Sequence, residues 1–384
     1  MKIFFSRSKP FMGVGGGGRR RSLQVYRALE SQGPIEFLSA ADFAVGAKVN
    51  ERVHSPFARA FWERIFRSRD GRRWGKDRQQ EVLRLRQAAR FWQKKVERLP
   101  DLELAVVEDP IYFEPLVREL HTRGIPIVAS CQNIETLSYP HISHANRKVL
   151  LTSELEALSG CDLAVTISRE DTWLLRNFNI PAYYFPYFPP AEVAGRLFQV
   201  RQNRQQSDKD GLLLLGNAGN MATRKGMTEM VEHWQGDGLS REFGKLWVAG
   251  YKTDCFFSDW KSSSHIEFLG PMADEDLDER LATVRACLCH QHGGGGALTR
   301  ICEMLTAGIP VVVSSAAARS YHETAGIIEF RELKDLRSAL RQLADVDSRS
   351  ENIPIPVKPD AARLALEIRA IMEARRSRPG FSRS

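Results

Sequence analysis

Nowhere do apolar residues run for the roughly eighteen positions that a membrane-crossing helix needs, so the 384-residue chain is not expected to span a bilayer. The apolar run of the N-terminus, MKIFFSRSKPF, is too short for a signal peptide and reads as a first strand. The six cysteines, at 131, 161, 255, 287, 289 and 302, form no Cys-x-x-Cys pair. Several sit inside apolar runs, so reduced, buried thiols of a cytoplasmic protein are expected rather than disulfides or a zinc site. A nucleic-acid-binding motif is also missing, which argues against DNA or RNA as the partner of the chain's positive charge.

That charge is +8 overall and unevenly spread. Residues 48–98 hold 16 Lys or Arg against 6 Asp or Glu, leaving the remainder about neutral to slightly acidic. One or two helices are expected over residues 45–98. Phe57, Phe61, Trp62, Ile65 and Phe66 form an apolar stripe in the first, and Val82, Leu83, Leu85, Phe91 and Trp92 in the second, about Gln79 to Arg98. Arg59, Arg64, Arg67, Arg69, Arg72 and Arg73 flank the first stripe and Trp74 interrupts the basic run. Two readings fit: core-packed helices with a solvated cationic face, or a segment that meets an anionic membrane surface or a phosphate-bearing lipid acceptor.

Elsewhere strands alternate with helices, the pattern of α/β domains. Strands are expected at Lys2–Ser6, Ile35–Leu38, Leu104–Val107, Ile125–Ser130 and Leu163–Ile167, with helices from near Ser22 and over Asn146–Ser159. The aromatic, proline-rich IPAYYFPYFPP, residues 180–190, reads as the crossover between domains, because proline continues neither regular element. After the polar RQNRQQSDKD, a second set of strands follows at Gly211–Leu215, Leu246–Ala249, Ile266–Leu269, Ala286–Cys289, Ile309–Val313 and Gly326–Phe330, with a helix from near Lys225–Gly226. A helix from about Asp360 to Arg376 precedes a basic tail. The fold expected is α/β, two doubly wound Rossmann-like domains facing a cleft. Residues 1–185 form the first, 186–360 the second, and 361–384 the C-terminal helix and tail, packing back on the first domain.

Glycine clusters stand at strand ends, where ligands bind in open sheets of this kind. Gly13, Gly15 and Gly18 match Gly-x-Gly-x-x-Gly, although the loop from the first strand runs on through Pro10 before reaching them. A dinucleotide loop and a loop admitting a diphosphate or sugar both remain open. The most informative stretch is HQHGGGGALTRICEMLTAGIPVVV, residues 290–313. Its glycines, Gly293 to Gly296, precede a helix with Leu298, Ile301, Cys302 and Leu305 on a buried face. Crowded backbone amides and a helix N-terminus suit an anion. Arg300 is placed to neutralise phosphates and Glu303 to accept hydrogen bonds from ribose hydroxyls. A plain glycine turn before a core helix is the alternative.

These segments resemble the GT-B glycosyltransferases, in particular the retaining, family-4-like group (glycosyl transferases group 1) that uses nucleotide sugars. The 290–313 stretch looks like that family's glycine loop, helix and Gly-x-Pro-Val-Val strand. LLLLGNAGNMATRKGM is similar to its Gly-Arg…Lys-Gly segment, and IEFLGPMADEDL to the turn that borders the base. IPIVASCQNIETLSY, CDLAVTISRED and FPYFPP are similar to its N-terminal and interdomain elements. The resemblance implies a cytoplasmic enzyme, peripheral at the inner face of the membrane, that moves a hexosyl group from a UDP- or GDP-type donor to a glycan or lipid-linked acceptor. No cofactor or metal is implied; the acidic run Asp274–Asp278 falls where the base-binding turn is expected.

Position by position, the resemblance places Gly16, Gly17, Gly216, Asn217, Arg224, Gly270, Met272, His292, Gly294, Gly295, Gly296, Arg300 and Glu303 on the donor side, with Lys225 at the diphosphate. Gln132 and Asn133 fall on the acceptor side. Asp109, with Glu108 beside it, is the candidate general base, against its reading as a helix cap before Pro110. Three positions depart from the family pattern: Gly295 stands where a sugar-holding glutamate is usual, Asn217 where an arginine is, and Gln132 where a histidine is. The alternatives are a non-catalytic nucleotide-sugar-binding relative, or a two-domain sugar-nucleotide epimerase or dinucleotide enzyme.

Overall fold

Strands buried on both faces read as short, continuous aliphatic runs, and two parallel sheets are built from such runs. The computed structural model describes residues 2–7, 16–39, 93–94, 96–99, 101–108, 110, 114–138, 144–344 and 353–377. Nearly all of the basic segment 48–98, together with Gly13, Gly15 and Asp109, lies outside the described residues. Contacts divide the chain into two units: Met1–Gly15, Ser22–Pro186 and Pro359–Ser384 form the first, Gly16–Arg21 and Tyr187–Lys358 the second.

The first unit carries β1 (Ile3–Arg7), β2 (Ile35–Ser39), β3 (Leu104–Glu108), β4 (Ile127–Cys131), β5 (Leu163–Thr166) and β6 (Ala182–Tyr184). They pair in the order β2-β1-β3-β4-β5-β6, all parallel. Successive side chains leave opposite faces of a strand, and the two cores follow that alternation. Phe4, Ala105, Val107 and Ala129 join Leu116, Leu120, Leu158 and Leu175 on one face. Ile3, Phe5, Val106 and Val128 join Val25, Leu29, Leu364, Ile368 and Met372 on the other. The last three belong to the C-terminal helix Ala361–Arg376, which covers this sheet. Asp360 caps that helix by accepting from the Ala362 amide at 2.8 Å. Near its other end Arg375 Nε donates to Asp162 Oδ1 at 2.8 Å.

The second unit carries β7 (Asp210–Leu215), β8 (Leu246–Ala249), β9 (Ile266–Gly270), β10 (Val284–Cys289), β11 (Val311–Ser314) and β12 (Ile327–Phe330). The order is β12-β11-β10-β7-β8-β9, again all parallel. Leu212, Leu214, Val248, Leu288 and Val312 face a core with Trp234 and Met230. Leu213, Trp247, Cys287, Val311 and Val313 face one with Leu197, Ile301 and Leu305. The chain winds outward from β7 to β9 and then returns to lay β10 against β7. The strand order reverses there, and in open sheets of this kind ligands bind beyond the carboxyl ends of the strands at such a switch point.

Four segments differ from the sequence expectation in kind or by more than two residues. The first helix starts at Gly17 rather than near Ser22, with Gly16 C=O accepting from the Arg19 amide at 2.9 Å. The helix expected from Lys225–Gly226 starts at Met221, because Asn220 caps it by accepting from the Thr223 amide at 3.0 Å. The proline-rich crossover contains β6, paired along β5. The polar stretch from residue 201 is the end of a helix, Ala191–Gln206. Its arginines are structural: Arg201 donates to the Leu305, Thr306 and Ile353 carbonyls, and Arg204 to those of Leu281, Val284 and Gly308. Cations there complete the carbonyls that a helix C-terminus leaves unpaired.

Candidate functional site

The segments that leave β7 and β10 build the candidate site. After β7, the Gly216 amide donates to Ala249 C=O at 3.0 Å. A methyl on Gly216 would sit 2.6 Å from Met227 Sδ and 3.4 Å from Arg300 Nη1, so glycine lets Arg300 lie against the β7 end. Asn217 is exposed and turns back, its Oδ1 accepting from the Gly219 amide at 2.9 Å. Its side chain shapes the turn. Arg224 stacks its guanidinium over the Phe256 ring at 4.1 Å. Gly270 closes β9 with φ 71° and accepts from the Gly250 amide at 2.9 Å, and Met272 packs beside it on the sheet's core.

After β10 comes His290, then the glycine loop. Gln291 is buried and anchors the loop: its amide donates to Ser314 Oγ at 3.0 Å and its Nε2 to Thr223 Oγ1 at 3.0 Å. Arg319, which the sequence reading missed, ties the glycines together. Its Nε donates to Gly296 C=O at 2.9 Å and its Nη2 to Gly295 C=O at 3.1 Å. Gly294 adopts φ 138°, a conformation that L side chains rarely take. A methyl on it would also sit 2.9 Å from Arg319 Nη2. No motif marks Arg319; it lies 23 residues beyond Gly296.

The helix that follows, Thr299–Thr306, begins after Leu298, which has no polar side chain to cap its first amides. Glu303 lies one turn in and is 8 % exposed. Both of its oxygens are engaged: Oε2 accepts from Arg20 Nη1 at 2.7 Å and Oε1 from Tyr187 Oη at 2.7 Å. Burial and then the Glu303 carboxylate push the Tyr187 hydroxyl well above its ordinary value, so it stays a donor. Burial pulls the Arg20 guanidinium down, but Glu303 outweighs it and holds it up. A methyl on Gly17 would sit 1.9 Å from Thr299 Oγ1. Only glycine lets the start of the first helix touch the start of this one. The structure therefore joins Gly16, Gly17, Arg20, Thr299 and Glu303, and Arg20 and Tyr187 were not foreseen.

Arg300 turns inward. A hydrogen bond from Cys287, then Arg300, hold the Cys289 thiol below its usual value. Buried Nε atoms of both Arg20 and Arg300 lack a hydrogen-bond partner among the described residues.

Lys225 is exposed on the second turn of the Met221–Gly236 helix, its Nζ 3.7 Å from Glu229 Oε1. Gly226 beside it has a packing role: a methyl there would lie 1.9 Å from His290 C=O. The close approach brings Glu229 to His290 Nε2 at 3.3 Å and to His292 Nε2.

In the first unit, Gln132 Nε2 lies 3.3 Å from Ser22 Oγ and 3.5 Å from Glu108 Oε2. Asn133 donates to Ser138 Oγ. Both follow β4, and Glu108, buried, ends β3 beside it. The candidate base Asp109 lies outside the described residues. Among the described residues no helix is long and apolar enough to cross a membrane.

No protein-family model matches the chain, and no curated protein matches it. Solved structures match over nearly its whole length. An α,α-trehalose 6-phosphate synthase from Burkholderia multivorans is 13% identical, with 99% of each chain covered and a TM-score of 0.63. A sucrose-phosphate synthase from Thermosynechococcus elongatus is 12% identical, covering 97% of this chain and 96% of its own, at 0.59. Anabaena HepE, in complex with UDP and glucose, is 13% identical, covering 97% and 98%, at 0.55. At such identities the likeness is one of fold, and the fold of this chain is the GT-B architecture of two Rossmann-like α/β domains.

Proposed function

We propose that the chain is a glycosyltransferase that moves a hexosyl group from a UDP- or GDP-type nucleotide sugar to a hydroxyl of a glycan or lipid-linked acceptor. The observation that carries this reading is the cluster at the switch point of the second sheet. A buried carboxylate, Glu303, stands one turn into an uncapped helix, held by Arg20 and Tyr187, behind a glycine loop braced by Arg319. Each carboxylate oxygen has a second lone-pair direction, and the donor's ribose hydroxyls take these. The diphosphate lies toward the amides of Gly16–Gly17 and Gly294–Gly296 and toward Lys225, with the guanidinium charges of Arg20 and Arg300 behind them. UDP and glucose bound to a protein of the same fold support the donor class.

In the reaction the bond from the anomeric carbon to phosphate breaks. A bond to the acceptor oxygen forms on the same face, and the acceptor's proton leaves to a base, for which Asp109 and Glu108 are the candidates. Charge grows on the departing diphosphate and on an oxocarbenium-like sugar. Fixed cations and amides stabilise that leaving group in place of a metal. Gln132 and Asn133 serve the acceptor side. The basic segment 48–98 brings the enzyme to the cytoplasmic face of an anionic membrane.

The test is nucleoside diphosphate release from a panel of UDP- and GDP-sugars, with and without a glycan and glycolipid extract. Acceptor-dependent release that falls at least tenfold in Glu303→Ala supports the reading. Binding of the donor with no release in any combination identifies a non-catalytic relative and overturns it.

A further inference from the structure

Beside the glycine loop lies a cluster of which the transfer reading names only His292, on the donor side. Glu229, His290 and His292 each offer one ligand atom, and the three atoms lie within 4.8 Å of one another. Glu229 Oε2 stands 3.3 Å from His290 Nε2 and also contacts His292 Nε2. The two imidazole rings meet edge to face, with centroids 4.8 Å apart. His290 is 5 % exposed; its Nδ1 has no hydrogen-bond partner among the described residues, and its Nε2 has only the Glu229 contact. A buried imidazole with an unsatisfied Nδ1 and only the Glu229 contact at Nε2 is costly, and a cation shared with that carboxylate would satisfy it.

The three side chains come from a helix, a strand end and a loop of the second unit. Glu229 lies on the Met221–Gly236 helix, which meets His290 C=O at the bare Cα of Gly226, one turn earlier. His290 leaves the central strand β10 and packs against Phe330 of β12, with ring centroids 5.6 Å apart. His292 is two residues on, at the mouth of the glycine loop, and its side chain is 51 % exposed. The competing cation is Lys225, whose Nζ lies 3.7 Å from the other oxygen of Glu229. That contact is longer than a charge-assisted hydrogen bond and involves only Oε1, leaving Oε2 to the two imidazoles.

We propose that Glu229, His290 and His292 bind a divalent transition-metal ion of the zinc class and so clip the glycine loop to the Met221–Gly236 helix. Two imidazoles and a carboxylate suit zinc, with bonds of about 2.0–2.2 Å and a fourth position left to water. The site forms from a strand end, a loop and a helix brought together by the fold, so it is present only in the folded chain. The ion acts on loop order. The proposal stands whether or not the chain transfers a sugar.

The experiment uses tag-free full-length protein stripped with chelator and titrated with zinc sulfate, or with cobalt(II) as a spectroscopic stand-in. The expected result is one equivalent bound per chain, a raised Tm, and a visible cobalt band typical of a four-coordinate nitrogen and oxygen site. His292→Ala, at an exposed position that leaves folding intact, and Glu229→Gln should each weaken binding by about tenfold or more and abolish the band. His322→Ala, at a surface His paired with Glu329, should leave both unchanged. Zinc binding that is absent in the wild type, or equal in wild type and a His292→Ala/Glu229→Gln double variant, overturns the proposal.

Discussion

Arg20 and Glu303, 283 residues apart in sequence, form an ion pair with Arg20 Nη1 at 2.7 Å from Glu303 Oε2. Tyr187 holds the other oxygen of the same carboxylate. The contact between Gly17 and Thr299 sets their helices close enough for this pair to form. Removing Glu303 leaves a largely buried guanidinium and a buried hydroxyl without their partner. We therefore expect Glu303→Ala to lower the unfolding free energy by about 1–3 kcal/mol, read by denaturant titration. A change well below 1 kcal/mol would mean that solvent already pairs these groups.

The Gly226 contact sets a steric prediction. Gly226→Ala puts a methyl where His290 C=O stands at 1.9 Å, and neither the helix nor the β10 end moves cheaply. The expected cost is about 1–3 kcal/mol, or a Tm lower by roughly 2–10 °C. Gly236, last in the same helix, has open space where its methyl would go. Gly236→Ala should be neutral or slightly stabilising. Equal effects at the two positions, measured by thermal melts, would contradict the packing account.

Much of the architecture was legible from the sequence, because buried parallel strands announce themselves as aliphatic runs. Leu246–Ala249 is a strand as read, and Leu104–Glu108 and Asp210–Leu215 each differ from the reading by one residue. One cause of error is that polar residues with structural partners look like linkers. Arg201 and Arg204 read as part of a polar connector, yet their guanidinium groups hold main-chain carbonyls and Arg204 is buried. Gly226 read as a helix start, but it is the point where the helix touches His290. In the candidate site, the glycine loop and Glu303 could be found from local pattern. Arg20, Tyr187, Arg319 and Glu229 could not, since only the fold brings them to their partners.

Glu154 gives a pH prediction. It is buried and accepts from the Glu135 and Thr136 amides at 2.6 and 2.9 Å. Burial outweighs those two bonds and pushes its pKa up from 4.5 to about 7. The folded state thus binds a proton more tightly than the unfolded one. Its stabilising contribution is complete below about 4.5 and is lost as the pH rises through 7. Across that window the wild type should lose stability relative to Glu154→Gln, which does not titrate. Parallel Tm-against-pH curves for the two proteins would contradict the assignment.

Arg319 carries a prediction about loop order. Arg319→Ala removes its bonds to the Gly295 and Gly296 carbonyls, and Arg319→Lys keeps the charge but not the fork. Both variants should speed amide hydrogen exchange over residues 292–298 while leaving β7 and β10 protected. Unchanged exchange in both would show that the loop is held by Gln291 and its backbone alone.

The central claim is that the second unit binds a nucleoside diphosphate through Glu303 and its surrounding cations. Calorimetric titration of the full-length protein with UDP, GDP and NAD tests it directly. The account predicts saturable binding of UDP or GDP at one site per chain, weakened about tenfold or more in Glu303→Ala and Lys225→Ala. Binding of NAD alone, or nucleoside diphosphate affinity unchanged in both variants, would contradict it.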